Sequence, residues 1–374
     1  MIVGILKEIK TEENRVCMTP AGVEVMISNG HQVLVETSAG VGSGFTDADY
    51  VTAGAEISTG PEDVYARCEM VMHVKEPQPS EYPMIREGQI VFTYFHFAAS
   101  EVLTKAMLKR KAICIAYETI VNPDGSLPLL TPMSEVAGRM AAQQGAKYVE
   151  RSQGGRGILM GGVPGVAPAT VLVLGGGVVG THAAQMCCGL GAKVYLLDMN
   201  LDRLRHLSEM MPKNCFSLMS SPATVRELVQ EADVVIGAVL VHGAKAPKLV
   251  TRELLKTMKK GAVLVDVAID QGGCFETSKA TTHADPIYEV DGIVHYCVAN
   301  MPGAVPLTST MALTNATLPY AVEIANQGWK QVAKNDAGIR EGFNVVEGAV
   351  CYKGVADAFG IDFVPVDELL KFEP

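Results

Sequence analysis

Four polar residues of this 374-residue chain stand where an open α/β sheet does its chemistry, just beyond the carboxyl ends of apolar runs that read as strands. Lys75 closes the run 70–74, and His96 follows the run 89–95. Asp270 stands just past the run 262–268, and Arg15 lies in the loop after the first run, 2–6. An arginine fork suits a carboxylate. A lysine can hold a carbonyl or carboxylate oxygen, and a histidine titrates near neutrality and suits proton transfer. Each residue also has a plainer reading. Arg15 and Lys75 sit beside Glu12, Glu13 and Glu76 and could form surface ion pairs, His96 follows Phe92, Tyr94 and Phe95 and could be a core group, and Asp270 could cap a loop.

The run Gly175-Gly-Gly177-Val-Val-Gly180 follows an apolar strand and opens a helix. Asp198 ends the next strand, at the distance a dinucleotide-binding turn requires. Gly175 permits the tight turn, Gly177 lets backbone approach a pyrophosphate, and Gly180 lets helix and strand close up. The helix start at Val178 and Val179 offers N–H groups to phosphate. Asp198 would accept hydrogen bonds from ribose hydroxyls and repel a 2′-phosphate, which favours NAD over NADP. The mid-chain position of the turn disfavours FAD. Spacing alone therefore leads to an NAD-dependent oxidoreductase with an anionic substrate.

The elements that must position these groups alternate along the chain. Residues 2–6, 32–36, 70–74, 89–95 and 112–117 read as strands, with helices at 21–28, ending at Asn29-Gly30, and at 100–111. After the turn Asn122-Pro-Asp-Gly125 a helix opens at Thr131-Pro132 and runs to about 151. A second block has strands at 171–174, 193–197, 215–219, 234–238, 262–268 and 293–297, then a long helix at 309–327 ending at Gly328. Such alternation means parallel sheets covered by helices. The expected fold class is α/β, with two doubly wound, Rossmann-like domains and a cleft between them. Residues 1–128 plus 305–374 would form a substrate domain and 129–304 an NAD domain, the tail packing back on the first.

Composition removes other classes. The chain is 48% hydrophobic and 19% charged, with a formal charge of −10, which suits neither a disordered chain nor one whose main partner is nucleic acid. Residues 157–192 carry no charge, but Pro164, Pro168 and the glycine run cut them into pieces shorter than the roughly 20 residues of a membrane span. The N-terminus lacks the pattern of a signal peptide. The nine cysteines form no CxxC pair and no Cys/His cluster at zinc spacing, and Cys187 and Cys188 read as reduced core residues. A soluble, cytoplasmic protein without a metal is expected.

Seven motifs sharpen this reading: Gly4-Ile-Leu-Lys-Glu8, Glu13-Asn-Arg15, Lys75-Glu-Pro77, Tyr94-Phe-His96, Leu174-Gly-Gly-Gly-Val-Val-Gly180, Asp266-Val-Ala-Ile-Asp-Gln-Gly-Gly273 and Asn300-Met-Pro-Gly-Ala-Val-Pro306. In combination, over essentially the whole chain, they closely resemble the NAD-dependent L-alanine dehydrogenases, a group shared with the nucleotide-binding part of proton-translocating transhydrogenase. The resemblance implies that Arg15 and Lys75 bind the carboxylate and keto oxygen of pyruvate, and that His96 and Asp270 are catalytic. It sets Ser134, Asp198, Ser220, Val239, Leu240, Val267 to Asp270, Val298, Asn300 and Met301 around NAD. Arg203 occupies a position where the family often has lysine, so a basic contact to the adenosine end is expected. A homo-hexamer acting on L-alanine, pyruvate and ammonium is implied as well. The alternatives are a transhydrogenase-type NAD-binding module and a related amino-acid dehydrogenase with another side-chain preference.

Overall fold

A computed structural model describes residues 1–239 and 246–370. Its contacts divide the chain into two compact units, one built from Met1–Met133 and the chain from Val305 on, the other Ser134–Ala304.

In the first unit the strands are β1 (Ile2–Ile5), β2 (Gln32–Glu36), β3 (Glu56–Ser58), β4 (Met70–Met72), β5 (Ile90–Thr93) and β6 (Ile113–Ala116). All six pair in parallel. Both faces are covered by helices, so β4, β5 and β6 are buried from end to end and can be apolar without alternation. After β1 the chain builds β2 and β3 on one side, then crosses to build β4, β5 and β6 on the other. The reversal between β1 and β4 is the kind of point at which open sheets bind ligands.

The second unit repeats the plan with β7 (Thr170–Leu174), β8 (Lys193–Asp198), β9 (Cys215–Met219), β10 (Val234–Gly237), β11 (Val263–Asp266), β12 (Ile287–Val290) and β13 (Ile293–Tyr296). Their order is β12-β13-β11-β10-β7-β8-β9, with the reversal between β7 and β10. Leu172, Leu174, Val235 and Leu264 lie in the core of this unit, each contributing about 1.5–3 kcal/mol by leaving water.

Both sheets differ from a purely parallel plan at an edge. β14 (Phe343–Val346) runs antiparallel to β6 and carries β15 (Ala349–Val350), so the tail extends the first sheet. β12 is antiparallel to β13. Several strands are also shorter at their carboxyl ends than their apolar runs suggest. β4 stops at Met72 and β5 at Thr93, because the residues that follow leave the ladder to build the site loops. The helix expected to reach about 151 is Thr131–Tyr148, followed by a short turn at Arg151–Gln153. The stretch 47–67, which carries no strong periodicity, holds two short helices, Asp47–Thr52 and Pro61–Arg67, flanking β3.

Candidate active site

Arg15, Lys75 and His96 follow β1, β4 and β5, which are neighbours in the first sheet. Arg15 is not on the surface: it is 2% exposed, and its partner Glu13 is 6% exposed. Nε and Nη2 of Arg15 donate to the two oxygens of Glu13 at 2.6 and 2.5 Å, and Nη1 lies 3.1 Å from Sδ of Met133. Burial alone would lower the pKa of the guanidinium, but the hydrogen bonds and charge of Glu13 more than offset it, and the net shift is upward. A buried, oriented, permanently charged fork results.

Lys75 is half-buried, and its carbonyl accepts the Thr93 hydroxyl at 2.9 Å. Burial pushes the pKa of its amine down, and the charge of Arg15 adds to this, while Glu13 opposes it. A lysine so tuned exchanges a proton more readily than a surface one.

His96 is exposed and adopts a left-handed backbone, φ 51° and ψ 41°, a conformation that costs a non-glycine residue about 1–3 kcal/mol. Glu118, just past β6, holds this geometry: its Oε1 accepts the N–H of His96 at 2.6 Å and that of Phe95 at 3.1 Å. The Tyr94 ring stacks on that of His96, and the Tyr94 hydroxyl donates to the carbonyl of Leu129. Glu118 escaped the sequence reading, although it stands after its strand as Lys75 and His96 stand after theirs. Glu13 was visible only as a neighbour of Arg15.

In the second unit the glycine turn joins β7 to the helix Val178–Gly189, with Gly177 as the helix cap. A Cβ on Gly180 would stand 1.8 Å from the carbonyl oxygen of Gly175, so helix and strand approach as closely as backbone allows. At Gly177 a Cβ would meet nothing within 4 Å among the described residues. That space, above the first N–H groups of the helix at Val178 and Val179, fits a pyrophosphate.

Asp198 ends β8, and its Oδ2 accepts the N–H of Gly176 at 2.7 Å while Oδ1 accepts that of Asn200 at 2.8 Å. Arg203 points back at the turn. Its Nε donates to the Gly176 carbonyl at 2.7 Å and its Nη2 to the Thr181 hydroxyl at 2.8 Å.

Ser220, Val239, Val267 and Val298 follow β9, β10, β11 and β13, so they share the carboxyl edge with Gly175. Ser134 lies in the first turn of the helix Thr131–Tyr148. Leu240 lies outside the described residues. Asn300 is left-handed, φ 58°, and Met301 behind it is buried. Asp270 is exposed, on a short turn Ile269–Gln271. The loop bearing it is organised by Asp266, fully buried at the end of β11. Asp266 accepts N–H groups of Ala268, Cys274 and Phe275 and the hydroxyl of Ser278. Burial raises the pKa of Asp266, and the donors on Ser278, Cys274 and Phe275, with the charge of Lys248, oppose the rise. Among the described residues no His, Cys, Asp and Glu side chains gather as a metal site.

The fold and the glycine turn together define a Rossmann-type dinucleotide-binding chain with a second α/β unit. Comparison with known proteins narrows this. Residues 4–137 match the family described as alanine dehydrogenase/PNT, N-terminal domain, and residues 141–353 match its C-terminal domain. The chain belongs to the alanine dehydrogenase/PNT family. It is 54% identical to an alanine dehydrogenase of Bacillus subtilis, covering 100% of this chain and 98% of that one. It is 53% identical to an alanine dehydrogenase of Halomonas elongata, covering 99% and 100%. A solved L-alanine dehydrogenase superposes with a TM-score of 0.94 at 50% identity, over 96% of this chain and 99% of that one. A transhydrogenase from Sinorhizobium meliloti superposes with a TM-score of 0.81 at 25% identity, over 94% and 99%.

Proposed function

We propose that this chain catalyses the reversible oxidative deamination of L-alanine: alanine, NAD⁺ and water give pyruvate, ammonium, NADH and a proton. The observation that carries the reading is the set of groups at the carboxyl ends of β1, β4 and β5, a buried arginine fork, a lysine with a depressed pKa and a histidine. A pure hydride relay between two nucleotides has no use for a carboxylate clamp and an acid/base, which disfavours the transhydrogenase alternative.

NAD⁺, when bound, supplies the hydride acceptor. Gly175, Gly177, Val178, Val179 and Gly180 would hold its pyrophosphate, and Asp198 its adenosine ribose. Ser134, Arg203, Ser220, Val239, Leu240, Val267, Val298, Asn300 and Met301 complete the proposed contacts. Arg15 binds the substrate carboxylate, and Lys75 the oxygen of the keto group. His96 takes a proton from the attacking water as the imine is hydrolysed, and returns one in the reverse direction. Asp270 orients the ammonia or water. The chain's own contribution is alignment and charge. A preference for NAD over NADP, a homo-hexameric assembly and a cytoplasmic location belong to the same reading. Among the described residues no helix is long and apolar enough to cross a membrane.

A panel of L-amino acids with NAD⁺ and with NADP⁺ tests the specificity. Alanine with NAD⁺ is expected to exceed 2-aminobutyrate, serine and glycine in kcat/KM. A faster reaction with another amino acid, or with NADP⁺, would contradict it.

A further inference from the structure

Two residues before Lys75 lies a buried cluster of titratable side chains with no part in the mechanism above. His73 is 1% exposed. Its Nδ1 lies 3.3 Å from Oε1 of Glu8, which follows β1. Its Nε2 lies 3.0 Å from the hydroxyl of Tyr65, on the helix Pro61–Arg67, and 3.4 Å from Oε1 of Glu81. The Tyr65 hydroxyl donates in turn to the same Glu81 oxygen at 3.3 Å. Glu36, at the end of β2, is the third buried carboxylate acting on the ring.

We propose that His73 is a positioning residue for Lys75, held as an imidazolium between Glu8 and Glu81 so that it fixes the turn presenting the lysine. A neutral imidazole carries one N–H, whereas an ionised carboxylate can only accept. With a glutamate facing each ring nitrogen, only the doubly protonated ring donates on both sides. The electrostatics agree: burial pulls the pKa of His73 down, but Glu81, Glu8 and Glu36 outweigh it and the net shift is upward.

The link to Lys75 is through backbone. The Glu8 oxygen that faces Nδ1 also accepts the N–H of Val74 at 2.6 Å. Thr93 holds the carbonyl of Lys75 at 2.9 Å, so the chain is pinned on both sides of the Lys75 Cα. Without the cation, Glu8 and Glu81 become buried charges lacking their partner. Glu8 then moves to recover a partner and releases Val74.

This inference rests on Lys75 binding the keto acid, so its test uses oxamate, an unreactive analogue of pyruvate, on the full-length chain with NADH bound. In His73→Phe the oxamate Kd is expected to rise by about 10- to 100-fold, the penalty for a small misplacement of a binding group. Affinity for NADH should stay within about twofold, because the cluster belongs to the other unit. His73→Gln, which keeps one donor, should fall between. A purely structural role would not alter proton linkage, so the decisive readout is pH. The cation is fully present below the usual histidine range and is lost as pH rises through its raised pKa. The slope of log affinity against pH above neutrality should therefore be steeper in the wild type than in His73→Gln, by up to about one proton. Equal slopes, or an oxamate Kd within about twofold in His73→Gln, would overturn the proposal even if His73→Phe fails to fold. A wild type that binds NADH but not oxamate would overturn the reading of the site, and this inference with it.

Discussion

Glu13 and Arg15 form a buried two-pronged ion pair, with both oxygens of the glutamate engaged by Nε and Nη2 of the arginine. The guanidinium is thus oriented before any substrate arrives. Removing one partner of a buried pair leaves an uncompensated charge, which costs about 3–5 kcal/mol. Glu13→Gln is expected to lose stability of that order in denaturant unfolding. A change under about 1 kcal/mol, the range of surface pairs, would contradict the buried-pair account.

Lys75 has a depressed pKa, so its protonation opposes folding. The sign follows from linkage: between the lowered folded value and the unfolded value near 10.5, the unfolded chain binds more protons, and stability from this group rises with pH. Replacing the amine with a neutral side chain removes the penalty. Lys75→Met should be at least as stable as wild type at neutral pH while losing oxamate affinity. A variant of lower stability with unchanged affinity would refute the assignment.

The two glycines of the turn should separate folding from binding. Gly180→Ala puts a methyl 1.8 Å from a backbone oxygen and should lower stability strongly. Gly177→Ala meets no atom of the described residues within 4 Å, so its thermal midpoint should barely move while NADH affinity falls. Fluorescence titration and thermal unfolding of both variants decide this; unchanged NADH affinity in Gly177→Ala would count against the phosphate cradle.

Asp198 both braces the turn through Gly176 and meets the proposed ribose. Hydrogen bonds to a charged group contribute about 1.5–3 kcal/mol each. Asp198→Ser should therefore lose about 10- to 100-fold in kcat/KM with NADH and narrow the gap to NADPH. An unaltered cofactor preference would argue that another residue sets it.

The cofactor turn was legible because its parts are local. Glycines, strand, helix and Asp198 lie within one βαβ unit, and each has a steric reason for its residue type. The strand-end positions of Lys75 and His96 were legible through the alternation of apolar runs. What could not be read locally is burial. Arg15 among Glu12 and Glu13 has the composition of a surface loop, yet it is covered, and the next residue, Val16, donates its N–H to Thr310, far along the chain. The left-handed turn at His96 is also a tertiary effect, because Glu118, just past the following strand, supports it. Short elements such as β3 escaped because three residues carry no usable period.

The most direct test is NADH absorbance when the purified chain meets L-alanine and NAD⁺, alongside His96→Ala. The account predicts steady NADH production by the wild type, a loss of about 10²- to 10⁴-fold in the variant, and nearly unchanged NADH binding in both. No NADH from alanine by a wild type that binds NADH, or full activity in His96→Ala, would contradict it.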